Sequence, residues 1–338
     1  MIQRGDLARY IPTSSFSSVM GIGIVSDALL QLRLYNLSQL LEYSDLAVYL
    51  GLVILFLLIF LTNRKGTEKT PLSHFSVLGS FTFVAGTAVL ATRLSESGFI
   101  IIDIPAIVIC LIFIAALACI LALSVDGSVF IHVQKPYLFF VPFIALLGIS
   151  VLASQTFSKL NTGYPYLLSI SLFTWATGFA GTSIFIIYTI IKFRKKFFRP
   201  DEIDGFYFIY SGIASLIAFS GILMIKLYNL NNQLLISFLR YVASVEYIWA
   251  VMFSILLFFI YSLKIAKGSI EFRHRVTIWG SVFPMGVDSM GSYFISLDFH
   301  IHFIIYLSYF YAFTGVMLIA VDLIEIVMSN LHQKPVME

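Results

Sequence analysis

Ten stretches of this 338-residue chain are long and apolar enough to cross a bilayer, and that pattern leaves few folds open. They lie at about 13–32, 44–62, 72–92, 99–124, 136–156, 164–192, 205–225, 236–263, 276–296 and 302–328. A crossing helix needs ~20 mostly apolar residues. Lipid offers no partner to backbone N–H and C=O groups, so runs of this length must satisfy them internally, as helices. Composition agrees: 59% of residues are apolar and 12% charged, whereas soluble domains carry about 25% charged residues. The expected fold is all-α and integral to the membrane, a single polytopic domain over residues 1–338. No soluble domain and no cleaved signal peptide is expected. The net charge of +3 is too small to suggest nucleic acid. Cys110 and Cys119 share one apolar run and read as packed thiols rather than a disulfide or a metal site.

Charge placement gives an independent check on the count. With ten spans, one face of the membrane receives 16 of the 21 Lys and Arg residues, including those of "TNRKGTEKT" (62–70) and "KFRKKFFRPDEID" (192–204). The other face receives 4: Arg33, Arg93, Lys159 and Lys226. Arg240 falls inside the eighth span. Cytoplasmic loops carry the Lys/Arg excess, so both termini are expected in the cytoplasm. The basic 192–200 loop is expected to touch anionic lipid.

Glycine follows a two-beat pattern. Odd spans carry ten: Gly21, Gly23, Gly79, Gly86, Gly148, Gly212, Gly221, Gly280, Gly286 and Gly291. Even spans carry four: Gly51, Gly178, Gly181 and Gly315. Small residues suit helices that pack closely or line a cavity. The chain therefore reads as five helical hairpins, with parallel odd helices inside and even helices facing lipid. Either a central pore or close packing around no pore would fit.

Two segments carry a family resemblance: "PTSSFSSVMGIGIVSDAL" (12–29) and "WGSVFPMG" (279–286). Together they resemble the first and ninth helices of the tellurite-resistance/C4-dicarboxylate transporter family. That family includes the slow anion channels of plant guard cells. The resemblance implies ten helices in five hairpins, a central pore lined by odd helices, often a homotrimer, and a pore-occluding phenylalanine on the ninth helix. Phe283 matches that phenylalanine. It also implies small anions as cargo, such as C4-dicarboxylates, sulfite or similar oxyanions, and a plasma-membrane location.

Pro284 lacks an N–H, and its ring clashes with the carbonyl of Gly280. A kink is expected there, with Gly280 and Gly286 flanking it. At ~1.5 Å per residue, Phe283 would sit about 12 Å into a ~30 Å hydrocarbon core. A break at that depth would expose a helix N-terminus, which favours an anion. A ring at the same level could block the path until it moves.

Acidic residues complicate a simple anion pore. Asp27 and Asp288 lie on odd spans, and Asp103, Glu246, Asp322 and Glu325 also fall at membrane depth. Ionisable residues there are costly and mark functional candidates. Asp27 and Asp288 would have to be paired, protonated or part of a proton relay, with Arg240 as an available partner. Gly21 and Gly23 join them as candidates lining the pore. "SLDFHIHF" (296–303) suggests a pH-responsive rim more than a metal site. No Walker, nucleophile-elbow or zinc-protease motif occurs, and no cofactor is expected. The expected function is a transporter or channel for small anions, with or without proton coupling, and with a phenylalanine gate. A passive anion channel, an integral-membrane enzyme acting on a lipid, and a structural or sensory membrane protein are the alternatives.

Overall fold

The computed structural model describes residues 13–62, 74–124, 136–160, 164–193, 205–228, 230–267 and 279–332. Within them the chain forms ten α-helices and no strand. They are α1 (Ser17–Gln31), α2 (Tyr35–Thr62), α3 (His74–Glu96), α4 (Asp103–Ser124), α5 (Val141–Lys159), α6 (Pro165–Phe193), α7 (Ile209–Tyr228), α8 (Gln233–Ala266), α9 (Trp279–Phe299) and α10 (Ile304–His332). Short 3-10 turns precede α1, α4, α5 and α7. Eight helices are long and apolar enough to span a membrane by themselves. The other two are α1 and α9. They are rich in Gly, Ser and, in α9, Pro, and owe their place to the helices that enclose them.

Consecutive helices pack as five antiparallel hairpins: α1–α2, α3–α4, α5–α6, α7–α8 and α9–α10. The odd helices also pack on one another in the order α1, α3, α5, α7, α9, and α9 returns to α1 to close a ring. Burial follows this plan. In their most apolar windows, 89%, 72% and 94% of residues are buried in α3, α5 and α7, against 17% to 33% in the even helices. The even helices present side chains such as Leu57, Ile184, Ile255 and Met317 outward. That surface is stable only against lipid.

The five hairpin turns share one face of the ring, called here the turn face. Three of them use the same stop signal. After α1, α3 and α9 the backbone turns left-handed at Arg33 (φ 62°), Gly98 (φ 101°) and His300 (φ 56°). The next N–H then bonds back to the carbonyls of Leu29, Leu94 and Ser296. This closure satisfies carbonyls that a helix end would leave bare. It gives His300 a backbone role at the rim.

Candidate functional site

A cavity lies on the axis of the ring, and every odd helix contributes to its wall. Its lining is Ile24 and Asp27 from α1, Ala85, Val89 and Thr92 from α3, Ile144, Gly148 and Val151 from α5, Leu216 and Phe219 from α7, and Phe283 from α9. On each helix with several members the spacing is three or four residues, one face of a helix. The volume is about 20 Å³, and a single water needs about 10–15 Å³ on the same measure. This cavity therefore has room for about one water. The wall is almost wholly apolar except at Asp27 and Thr92.

Phe283 lines this cavity and is only 4% exposed. Phe219, which sequence reasoning missed, is a second ring on the same wall. It packs against Phe294 of α9 with ring centroids 5.1 Å apart. Its only sequence signal was its place on a glycine-rich odd span.

The expected break in α9 is absent. The helix runs continuously from Trp279 to Phe299 with Pro284 inside it, near its start. Proline there deprives the Gly280 carbonyl of its partner. The freed group is an acceptor, not the N–H donor that would attract an anion. The glycines near Pro284 serve packing. A Cβ on Gly212 would lie 2.8 Å from the Pro284 Cα, and one on Gly286 would lie 2.9 Å from the Val25 nitrogen. A Cβ on Gly280 would strike the Phe206 ring, and one on Gly21 would lie 2.9 Å from a Val282 methyl. Gly21 and Gly23 are thus points of helix approach and are not part of the cavity wall. Gly23 instead makes room for the Asp45 carboxyl and Val89, each 2.7 Å from where its Cβ would be.

Toward the turn face, between α1, α2 and α3, lies a buried charge network centred on Arg93. Sequence reasoning counted Arg93 among the charges of that face, yet it is 1% exposed. Its Nη2 lies 2.8 Å from Glu42 Oε2 and donates to Ser38 Oγ at 3.0 Å. Its Nε donates to Ser26 Oγ at 2.9 Å, and its Nη1 to Ser97 Oγ at 3.0 Å. Asp27 Oδ1 stands 3.8 Å from Nε and accepts no hydrogen bond. Nearer the rim, Lys159 donates to Ser95 Oγ at 3.0 Å. Glu96 accepts from Gln155 at 3.1 Å and Gln31 at 3.3 Å. Asp103 Oδ2 accepts from Ser95 at 2.6 Å and Thr156 at 3.1 Å.

Asp288 is buried but is not in the wall of this cavity. Its Oδ2 accepts from Ser254 of the outer helix α8 at 2.8 Å, while its buried Oδ1 accepts no hydrogen bond. Arg240 does not serve Asp27 or Asp288: it makes a two-pronged pair with Asp298 at 2.9 and 3.2 Å. That pair fixes the rim between α8 and α9 and takes Asp298 away from the histidines. The loops 63–73 and 194–204, and the side chain of Glu325, lie outside the described residues.

None of the curated proteins compared matches the chain. The sequence profile of the SLAC1 family, described as voltage-dependent anion channel, matches residues 10–327. That match covers all ten helices up to the last turn or so of α10, and with them every residue of the axial cavity. The chain is a multi-pass membrane protein that belongs to the SLAC1 family of voltage-dependent anion channels.

Proposed function

We propose that small anions, inorganic or organic, cross the membrane along the axis of the odd-helix ring, and that Phe283 is the movable plug. The observation that carries this reading is the cavity itself. It draws on all five odd helices, is too small for any ion larger than a water, and has the Phe283 ring on its wall. The cargo is a compact oxyanion such as sulfite, or a C4-dicarboxylate. Transport is proton-dependent, because the path carries a carboxyl and the Arg93 guanidinium beside it is already engaged. The turn face is external, both termini are cytoplasmic, and the ring sits in the plasma membrane as one unit of a homotrimer.

The test is anion efflux from liposomes holding the purified protein. Truncating Phe283 to Ala removes the plug, and each ~1.4 kcal/mol taken from the barrier raises flux about tenfold. Phe283→Ala should therefore leak at least about tenfold faster than the unmodified protein. Phe283→Leu, which keeps bulk, should fall between them. A residue that merely packs predicts the opposite sign, since Phe→Ala in a packed core costs ~3–5 kcal/mol and would leave less folded, less active protein. A folded Phe283→Ala protein with unchanged flux removes the gate.

A further inference from the structure

We infer that Asp27 is a proton-binding site within the anion path, and that the anion enters the cavity only when this carboxyl is protonated. The inference rests on axial conduction and assigns the proton to Asp27 rather than Asp288. Three independent observations support it.

The first is position. Asp27 is 1% exposed and lines the axial cavity with the Thr92 hydroxyl and no other polar side chain. The second is missing partners. Neither Asp27 Oδ1 nor Thr92 Oγ1 has a hydrogen-bond partner, although both are buried. The nearest Arg93 nitrogen, Nε, stands 3.8 Å away, and its single N–H already donates to Ser26.

The third is the balance of charge around the site. Glu42 and Asp45 face it from α2, Arg93 and Glu96 from α3, Asp103 from α4, and Lys159 from α5. Five carboxyls, Asp27 included, thus share two cations. Both oxygens of Asp45 also lack partners. A surplus of buried negative charge is not sustained in a low-dielectric interior; protons relieve it. Bound metal is not the remedy, because among the described residues no three of these side chains converge as ligands.

Protonation changes what the cavity offers. An ionised Asp27 at ~4 Å would suppress anion occupancy about a thousandfold at an effective dielectric near 20. A protonated Asp27 removes that charge. Its O–H and the free Thr92 hydroxyl then become two donors on an otherwise apolar wall, matched to an anion that has shed water. The proton comes from the solution at the turn face, and the carboxylate re-forms when it returns there.

The experiment has two arms on the full-length protein. Efflux of sulfite and of nitrate from liposomes is measured against pH for the unmodified protein and for Asp27→Asn, which holds the neutral form permanently. Unmodified flux should rise as pH falls, and Asp27→Asn flux should be high and nearly flat. An Asp27→Asn profile that follows the unmodified one overturns the inference. The second arm needs no transport: infrared difference spectra across the same pH range in detergent. A protonated-carboxyl band that titrates in the unmodified protein and is missing in Asp27→Asn supports the inference, and an unaltered band overturns it. Should Asp27→Asn not fold, Asp27→Glu replaces it and must shift the midpoint of the band. Absence of flux from the unmodified protein and from Phe283→Ala would defeat axial conduction, while the infrared arm still decides whether Asp27 takes the proton.

Discussion

Arg93 shows how one buried cation organises a membrane site. It ties α3 to α1 through Ser26 and to α2 through Ser38 and Glu42. Arginine suits the task because its planar fork presents several donors at once. Removing one member of a buried pair strands the other and costs ~3–5 kcal/mol. Arg93→Leu should therefore lower the unfolding free energy in detergent by about that amount, and adding Glu42→Gln should recover part of the loss. Recovery matters because additive losses would mean that the pair does not act as a unit. Sequence reasoning placed Arg93 in a turn, since it lies next to "LSESG" at the end of an apolar run. Hydropathy cannot distinguish a charge at a span's end from one drawn inward by a carboxylate on the next helix. Phe283 differs in that its Trp-x-x-x-Phe-Pro-Met-Gly setting is local in the chain. The partner of Asp288 was not legible, because spacing gives depth along a helix but not which neighbour a side chain faces.

At the scale of elements, the division of labour between odd and even helices was written plainly in the glycines. Their role was not. Sequence reasoning left close packing and cavity lining both open for them, and most mark places where two helices touch. Gly286 brings α9 against Ile24 and Val25 of α1, and this contact closes the ring between the last odd helix and the first. A Cβ there would lie 2.5 Å from an Ile24 methyl and 2.9 Å from a backbone nitrogen, and backbone does not yield readily. Gly51 of α2 has nothing within 4 Å of its would-be Cβ. The same substitution should thus act with opposite sign. Gly286→Ala should destabilise by ~1–3 kcal/mol through overpacking. Gly51→Ala should gain up to ~1 kcal/mol from helix propensity alone. Thermal unfolding of the two variants side by side checks both, and equal shifts would contradict the packing assigned to α9 and α1.

For the whole molecule, the ring is a consequence of bilayer physics applied five times. Each hairpin satisfies its own backbone, keeps a large apolar helix for lipid and turns a helix rich in small residues inward. Hydropathy and charge asymmetry were enough to count the spans. They could not give the order in which the odd helices meet, because ring closure depends on contacts between α9 and α1, far apart in the chain. The central claim is that anions cross through the cavity this closure creates. Thiol block tests it most directly. In a Phe283→Ala protein with Cys110 and Cys119 replaced by Ala, one cysteine is placed at Val151 on the axis, or at Ile184 on the lipid-facing surface. A small charged thiol reagent is added to the turn face during anion efflux from liposomes. Efflux should stop with the cysteine at position 151 and continue with it at position 184. Undiminished efflux after full modification of position 151 would contradict conduction along the axis.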